Sequence, residues 1–320
     1  MIRTLAYTPS QGLRKVADEE SIADLLAQTD IVLWMDIEQP TVDDLNRIRS
    51  TFGFHELAIE DVERPHQRPK LDYYDTYRFL VLYAVAREDD TLTPSEVDLF
   101  VGQRYVVSVH AMPILDLDEA AQRWMQAAVR LDPGVVSLLY ALLDAIVDGY
   151  FPALDLIADR VEEIEEAMIA RTDVDSLALL FALKKQLIAL RRVLAPERDI
   201  LNGFLHRDWP RMPPSAVTYF QDVYDHVVRA IDSMDTYQDL LSNVLDVHVS
   251  LASNRLNVVV KRLTAIATIL AVPTIVFSLY GMNFRHMPEL EWEYGYPVAL
   301  VSTLVISLAI AIFLRRRDWL

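Results

Sequence analysis

The chain has 320 residues, 47 of them acidic against 30 Lys and Arg, for a net charge of −17. Such a body offers no basic face to neutralise phosphates, which excludes nucleic acid as a partner; it suits divalent cations, which take hard carboxylate oxygens. Cysteine is absent, so disulfides and thiolate zinc sites are excluded as well.

The N-terminus, Met1-Ile2-Arg3-Thr4-Leu5, shows no apolar signal segment, so the large acidic part is expected to stay in the cytoplasm. Residues 1–115 read as an α/β subdomain. Ile31 to Ile37 is a buried-strand candidate, Val42 to Phe52 a short amphipathic helix, and Tyr77 to Val85 an alternating strand. Val97 to Val101 and Tyr105 to Val109 add two strands, with Gly102-Gln103-Arg104 as the hairpin turn between them. Residues 116–214 read as a helical hairpin region. Val135 to Ala170 is one long helix carrying acids at Asp155, Asp159, Glu162, Glu163, Glu165 and Glu166; Arg171-Thr172-Asp173 turns the chain, Asp173 to Val193 is a second helix, and Pro210 to Pro214 breaks it.

From Ser215 the helical period runs on through Phe220, Val223, Val227, Ile231, Met234, Leu241, Leu245, Val249 and Leu256, with no Pro or Gly until Pro273, where a kink is expected. Residues 215–262 form a stalk, and it enters the first of two charge-free runs without a break. A helix from Ser215 to Leu279 would be about 100 Å long at 1.5 Å per residue. Such a helix cannot bury itself, which predicts a symmetric oligomer.

The charge-free runs, Leu263–Phe284 and Tyr294–Leu314, each match the ~20 residues that cross a bilayer core. Residues 263–284, 285–293 and 294–314 are therefore assigned as first span, external loop and second span, with a basic tail at 315–320. Lys261 and Arg262 precede the first span, and Arg315, Arg316 and Arg317 follow the second, while the loop carries Glu289, Glu291 and Glu293 against Arg285. The positive-inside bias then puts both termini in the cytoplasm of a multi-pass protein of the inner (plasma) membrane. Trp292, Tyr294, Tyr296 and Trp319 fit interfacial aromatic belts.

On the first span, Asn257, Val260, Thr264, Ala267, Ala271, Thr274 and Ser278 alternate at three- and four-residue spacing, with bulky Leu263 beside them. A stripe of small residues packs helices closely in lipid. It also suits the lining of a conduit, and the polar residues at its two ends, Asn257 and Asn283, favour that reading. Gly281 stops the helix there, and Asn283 sets an amide at the membrane surface.

Tyr280-Gly281-Met282-Asn283-Phe284, followed by Met287-Pro288-Glu289-Leu290 and the Arg315–Arg317 cluster, resembles the CorA family of divalent-cation channels, and the match covers nearly the whole chain. Ile59-Glu60-Asp61 with His66-Gln67-Arg68-Pro69-Lys70 resembles the family's soluble-domain motif; Asp222-Val223-Tyr224-Asp225-His226 and Leu245-Asp246-Val247 resemble its stalk. The resemblance implies a non-enzymatic, homopentameric funnel: an α+β cytoplasmic domain with a mixed sheet and helices, a very long stalk helix, and a two-helix transmembrane hairpin. It further implies uptake of Mg2+, with tolerance of Co2+ and Ni2+, through a five-fold pore lined by the first span, and no organic cofactor. Its regulatory Mg2+ would be held by carboxylates at subunit junctions, here Asp61 with Asp222 and Glu60 with Asp144.

Mg2+ gives up its octahedral water shell reluctantly. A ring of Asn283 amides, with Gly281 and Met282, would accept hydrogen bonds from those waters without stripping the ion, where a carboxylate ring would hold it too tightly to conduct. The loop glutamates either concentrate cations outside or only confer solubility. Two other readings stand beside the Mg2+ channel: a zinc transporter of the related branch, which Met282 and Met287–Leu290 disfavour, and a membrane-anchored metal-dependent enzyme or sensor using Asp222, Asp225 and His226. The second lacks any phosphate loop, nucleophile elbow or His-Glu-x-x-His motif.

Overall fold

A computed structural model describes residues 1–17, 20–65, 67–88, 91–114, 116–131, 134–170, 174–206, 212–283 and 285–320. They fall into two compact units, Met1–Ser242 and Asn243–Leu320. Expectations resting on His66, on the Arg171–Asp173 turn, on Phe284 and on residues 210–211 of the second break lie outside the described residues.

The first unit opens with β1 (Ile2–Thr8), β2 (Gly12–Lys15), α1 (Ile22–Ala27), β3 (Val32–Glu38), α2 (Val42–Phe52) and α3 (Glu56–Glu63). β4 (Lys70–Tyr73), β5 (Arg78–Glu88), β6 (Thr91–Val101) and β7 (Tyr105–His110) complete a seven-stranded sheet in the order β2-β1-β3-β7-β6-β5-β4. It is mixed, because β3 pairs with β7 in parallel and every other neighbour is antiparallel. The Gly102 turn closes the β6–β7 hairpin as expected, its N–H donating to the Tyr105 carbonyl at 2.9 Å. α2 occupies its expected residues because Thr41 and Asp44 form a reciprocal capping box at its start. Leu45 and Ile48 of α2, with Ala58, Ile59 and Val62 of α3, then bury one face of the sheet against Ile37, Val81, Phe100 and Val109.

Four helices follow within this unit: α4 (Asp116–Arg130), α5 (Val135–Asp148), α6 (Tyr150–Ala170) and α7 (Val174–His206). The single helix expected over Val135–Ala170 is therefore two. It parts at Gly149, and Pro152 explains the break, since it has no amide to donate to the Asp148 carbonyl one turn earlier. α7 runs past the expected Val193 and through Pro196, with Leu187, Leu190, Leu194, Leu201 and Phe204 buried along it. Burial of that face outweighs the missing amide.

α8 (Pro214–Tyr280) contributes to both units, a 3₁₀ turn spans Pro288–Leu290, and α9 is Gly295–Arg316. Pro at the first position of α8 suits a helix start, and α8 stays helical through Pro273. Phe220, Val223, Val227, Ile231, Met234 and Leu241 are buried as their spacing predicts, whereas Val249 and Leu256 are exposed.

Among the described residues three helical stretches are long and apolar enough to cross a membrane. The most apolar part of Val135–Met168 is 67% buried within the protein, against 6% for Pro214–Tyr280 and 11% for Gly295–Arg316. The first stretch is thus core. The other two present their apolar side chains outward, as lipid-facing helices do.

Candidate functional site

From Leu263 onward the less exposed positions of α8 are Ala265, Ile269, Val272, Pro273, Val276 and Tyr280, and those of α9 are Gly295, Ala299, Thr303, Ser307, Ile310, Ala311 and Leu314. Each set runs down one helix face, and among the described residues the unit's other helical element is the short Pro288–Leu290 turn. The hairpin therefore closes along these two stripes. At 100° per residue the seam Asn257, Val260, Thr264, Ala267, Ala271, Thr274 and Ser278 centres roughly 150° around α8 from its covered stripe. All seven are exposed in the single chain, as are Leu263, Lys261 and Arg262. The seam thus faces away from the chain's own second span. Thr264 and Thr274 donate their hydroxyls to the carbonyls of Val260 and Leu270, each at 2.8 Å. These bonds satisfy the hydroxyl protons inside the helix and leave oxygen lone pairs on the seam.

The helix ends where the sequence indicates but not by the device expected. Gly281 does not adopt the left-handed conformation; its amide donates to the Phe277 carbonyl at 2.9 Å, and a Cβ there would stand 3.2 Å from that oxygen. Its smallness permits a close approach to the last turn. Met282 and Asn283 follow, both exposed. The loop returns through the Pro288–Leu290 turn, whose Glu289 carbonyl lies over Gly295. A Cβ on Gly295 would come within 2.2 Å of that oxygen, so only glycine fits beneath the turn. Gly295 was not apparent as a site residue from sequence, because a glycine opening an apolar run resembles any helix start. Trp292 and Tyr294 stand edge to face with ring centroids 6.3 Å apart. Arg315, Arg316 and Arg317 are exposed at the end of α9.

In the first unit the four expected metal carboxylates are distributed over three helices. Glu60 and Asp61 lie on α3: Glu60 pairs with Arg64 at 2.8 Å, and Asp61 with Lys70 at 2.7 Å. Burial works against the Lys70 ammonium, but bonds to Asp61 and Asp72 outweigh it and raise its pKa. Asp144 on α5 binds Arg123 at 2.7 Å, as Asp148 does at 2.6 Å. Burial pushes the Asp144 carboxyl up; Arg123 opposes this and the neighbouring Asp148 adds to it. Asp222 on α8 lies 3.9 Å from His226, whose other nitrogen is 3.4 Å from Asp148.

Asp144 and Asp222 both act on the hydroxyl of Tyr140, which burial, above all, holds above its ordinary range. The fold thus brings Asp144 and Asp222 into one neighbourhood, while Glu60 and Asp61 sit in another with their own basic partners. Among the described residues no group of three or more His, Asp or Glu side chains is arranged to hold a metal. Lys70 and Arg123, which neutralise these acids, and Tyr140, which lies beside them, carry little signal in the sequence. Lys70 alone carried a signal, as the last residue of the His66–Lys70 segment.

The family model described as CorA-like Mg2+ transporter protein matches residues 29–316. The chain is 36% identical over 313 residues to the Bacillus subtilis protein YfjQ, covering 97% of this chain and 96% of that one. It is 35% identical over 287 residues to the cobalt/magnesium transport protein CorA of Thermotoga maritima, covering 87% and 80%. Its fold is similar to the complete CorA magnesium transporter structure from Methanocaldococcus jannaschii, with a TM-score of 0.85 at 23% identity, covering 99% of this chain and 98% of that one.

Proposed function

The chain belongs to the CorA-like Mg2+ transporter family, as an ion transporter and not an enzyme, and on that premise we propose that it takes up Mg2+ through a pore lined by α8. The observation that carries this reading is the seam. A line of small and hydroxylated side chains, turned away from the chain's own second span, leads to Asn283. One chain encloses no pore, so copies arrange their seams around a central axis, in number five as the family resemblance implies. Both termini and the first unit face the cytoplasm, with Lys261, Arg262 and Arg315–Arg317 at the inner membrane edge.

Glu289, Glu291 and Glu293 draw cations to the outer mouth. There a ring of Asn283 amides accepts hydrogen bonds from the ion's water shell, so the octahedron enters without first being stripped. Inside the cell, Mg2+ bridges Asp61 to Asp222, and Glu60 to Asp144, between neighbouring copies; among the described residues one chain alone supplies no group of three or more such ligands. Each bridge offsets the mutual repulsion of acidic subunits and holds the pore closed. Falling internal Mg2+ releases it.

Purified protein in liposomes tests the ion and the transport together. Mg2+ uptake should be reduced by external Co2+ and Ni2+ in competition, and much less by Zn2+. Uptake of Zn2+ in preference to Mg2+ would reassign the chain to zinc transport, and absence of any flux would end the transport reading.

A further inference from the structure

β4 pairs with β5 only from Arg78 to Val81, so beyond that point β5 has lost its neighbour on this side of the sheet. The Tyr83 backbone is met there by two helices instead. Its N–H donates to Glu197 Oε1 of α7 at 2.5 Å, and its carbonyl oxygen lies 2.6 Å from the Tyr150 hydroxyl of α6. The same hydroxyl lies 2.6 Å from Glu197 Oε2. Tyr150 is fully buried and Glu197 is 2% exposed, so bulk water does not reach the set.

Counting protons decides the state of this ring. Two oxygen–oxygen contacts of 2.6 Å each need a proton between them. The peptide carbonyl has none to give, and Tyr150 has one. Ionised Glu197 would take the tyrosine proton and leave the Tyr83 carbonyl facing an oxygen with nothing between. Neutral Glu197 solves the count: its carboxyl O–H donates to Tyr150, Tyr150 donates to the Tyr83 carbonyl, and the Tyr83 N–H donates back to Glu197.

We propose that Glu197 is a protonated acid in this fold, a proton-held latch that fastens α6 and α7 to the open edge of β5 and is released when Glu197 ionises. Burial pushes this carboxyl up from its ordinary 4.5 to about 8, the bonds from Tyr150 and the Tyr83 amide pulling the other way. The charged groups of the neighbouring strands are Glu96 and Asp98 on β6, and Lys70 and Asp72 on β4, the latter two bonded at 2.8 Å. On α7 itself Arg198 pairs with Asp199 at the surface, and on α6 Tyr150 is the titratable group in contact. The latch also reaches the segment after α3, since the Tyr83 hydroxyl lies 2.6 Å from the Gln67 carbonyl oxygen and 2.9 Å from a Glu96 carboxylate oxygen, with one proton to give between them.

The sign follows from linkage. Between about 4.5 and about 8 the folded chain keeps a proton that the unfolded chain has released. The stabilisation is complete below that window, falls as pH rises through it, and is gone above it. For the full-length protein in detergent, this contributes a fall in melting temperature of about 3–5 °C per pH unit across the window. Glu197→Gln imitates the neutral acid, accepting from the Tyr83 amide and donating to Tyr150, and has no proton to lose. It should melt near the parent at the acidic end, lack this component of the slope, and exceed the parent above pH 8.

Equal slopes in parent and variant would overturn the latch. Should the variant not fold, hydrogen exchange at Tyr83 in the parent decides. Its protection, corrected for intrinsic rates, should fall about tenfold per pH unit between about 4.5 and about 8 and level off above that window. Constant protection through that range would overturn the proposal equally.

Discussion

Replacing Asn283 with Ala should reduce Mg2+ uptake by well over tenfold and leave assembly intact. Asn283 is exposed beyond the end of α8, so its removal opens no cavity and unpairs no buried group. What disappears is a hydrogen-bond acceptor for the ion's water. At about 1 kcal/mol for each bond, and one Asn from every copy around the axis, the combined loss reaches several kcal/mol, against 1.4 for a factor of ten. Flux into liposomes, with assembly checked by sedimentation, measures both quantities. Parental flux from a correctly assembled Asn283→Ala protein would remove Asn283 from the selecting site.

The second large effect is expected at the cytoplasmic carboxylates. Asp222 is well exposed on α8, and Asp61 already has Lys70 as partner, so neither substitution should unfold the chain. Removing one carboxylate from an ion bridge costs about 1.5–3 kcal/mol, as for a hydrogen bond to a charged group, which is roughly ten- to a hundredfold in the Mg2+ concentration needed. Asp61→Asn and Asp222→Asn should therefore require more Mg2+ to protect the first unit from proteolysis. Both should also conduct at internal Mg2+ levels that shut the parent. Unchanged protection in both variants would return these residues to ordinary surface acids, Asp61 serving only to hold Lys70.

The parts of this fold that could be read in the sequence are those where a local pattern has one physical solution. Two charge-free runs of membrane length are unambiguous because charged residues are costly in lipid. α2 was legible to the residue because its capping box and its period agree. The β6–β7 hairpin was legible because its turn is short. The breaks were less so. Gly149 and Pro152 part α5 from α6, whereas Pro196 does not divide α7, although apolar residues are buried along all three helices. β2 and β4 were missed because four-residue strands at the two sheet edges have too few residues to show alternation. The parallel pairing of β3 with β7 depends on chain segments some 70 residues apart.

The candidate site divides in the same manner. The common face of the seam residues could be read because helical spacing alone fixes which residues share a face. The surroundings of the acids could not. Asp144 meets Arg123 across 21 residues, and Glu197 reaches Tyr83 across 114. No local pattern announces such a partner. Gly281 marks the helix end at its expected position, with its backbone outside the left-handed region.

The most direct measurement on the proposed mechanism asks whether the ion meets Asn283 with its water on. A substitution-inert hexaammine cation presents an octahedron of outward N–H donors, close in form to hydrated Mg2+, and cannot shed its ligands. Mg2+ uptake into liposomes is followed as this cation is raised outside, for the parent and for Asn283→Gln, whose longer side chain misplaces the amide oxygen. The hydrated-ion account predicts inhibition of the parent that external Mg2+ relieves, and weaker inhibition of the variant. Undiminished parental uptake, at hexaammine concentrations well above the half-saturating Mg2+, would mean that the mouth strips the ion and binds it directly, contrary to the role given to Asn283.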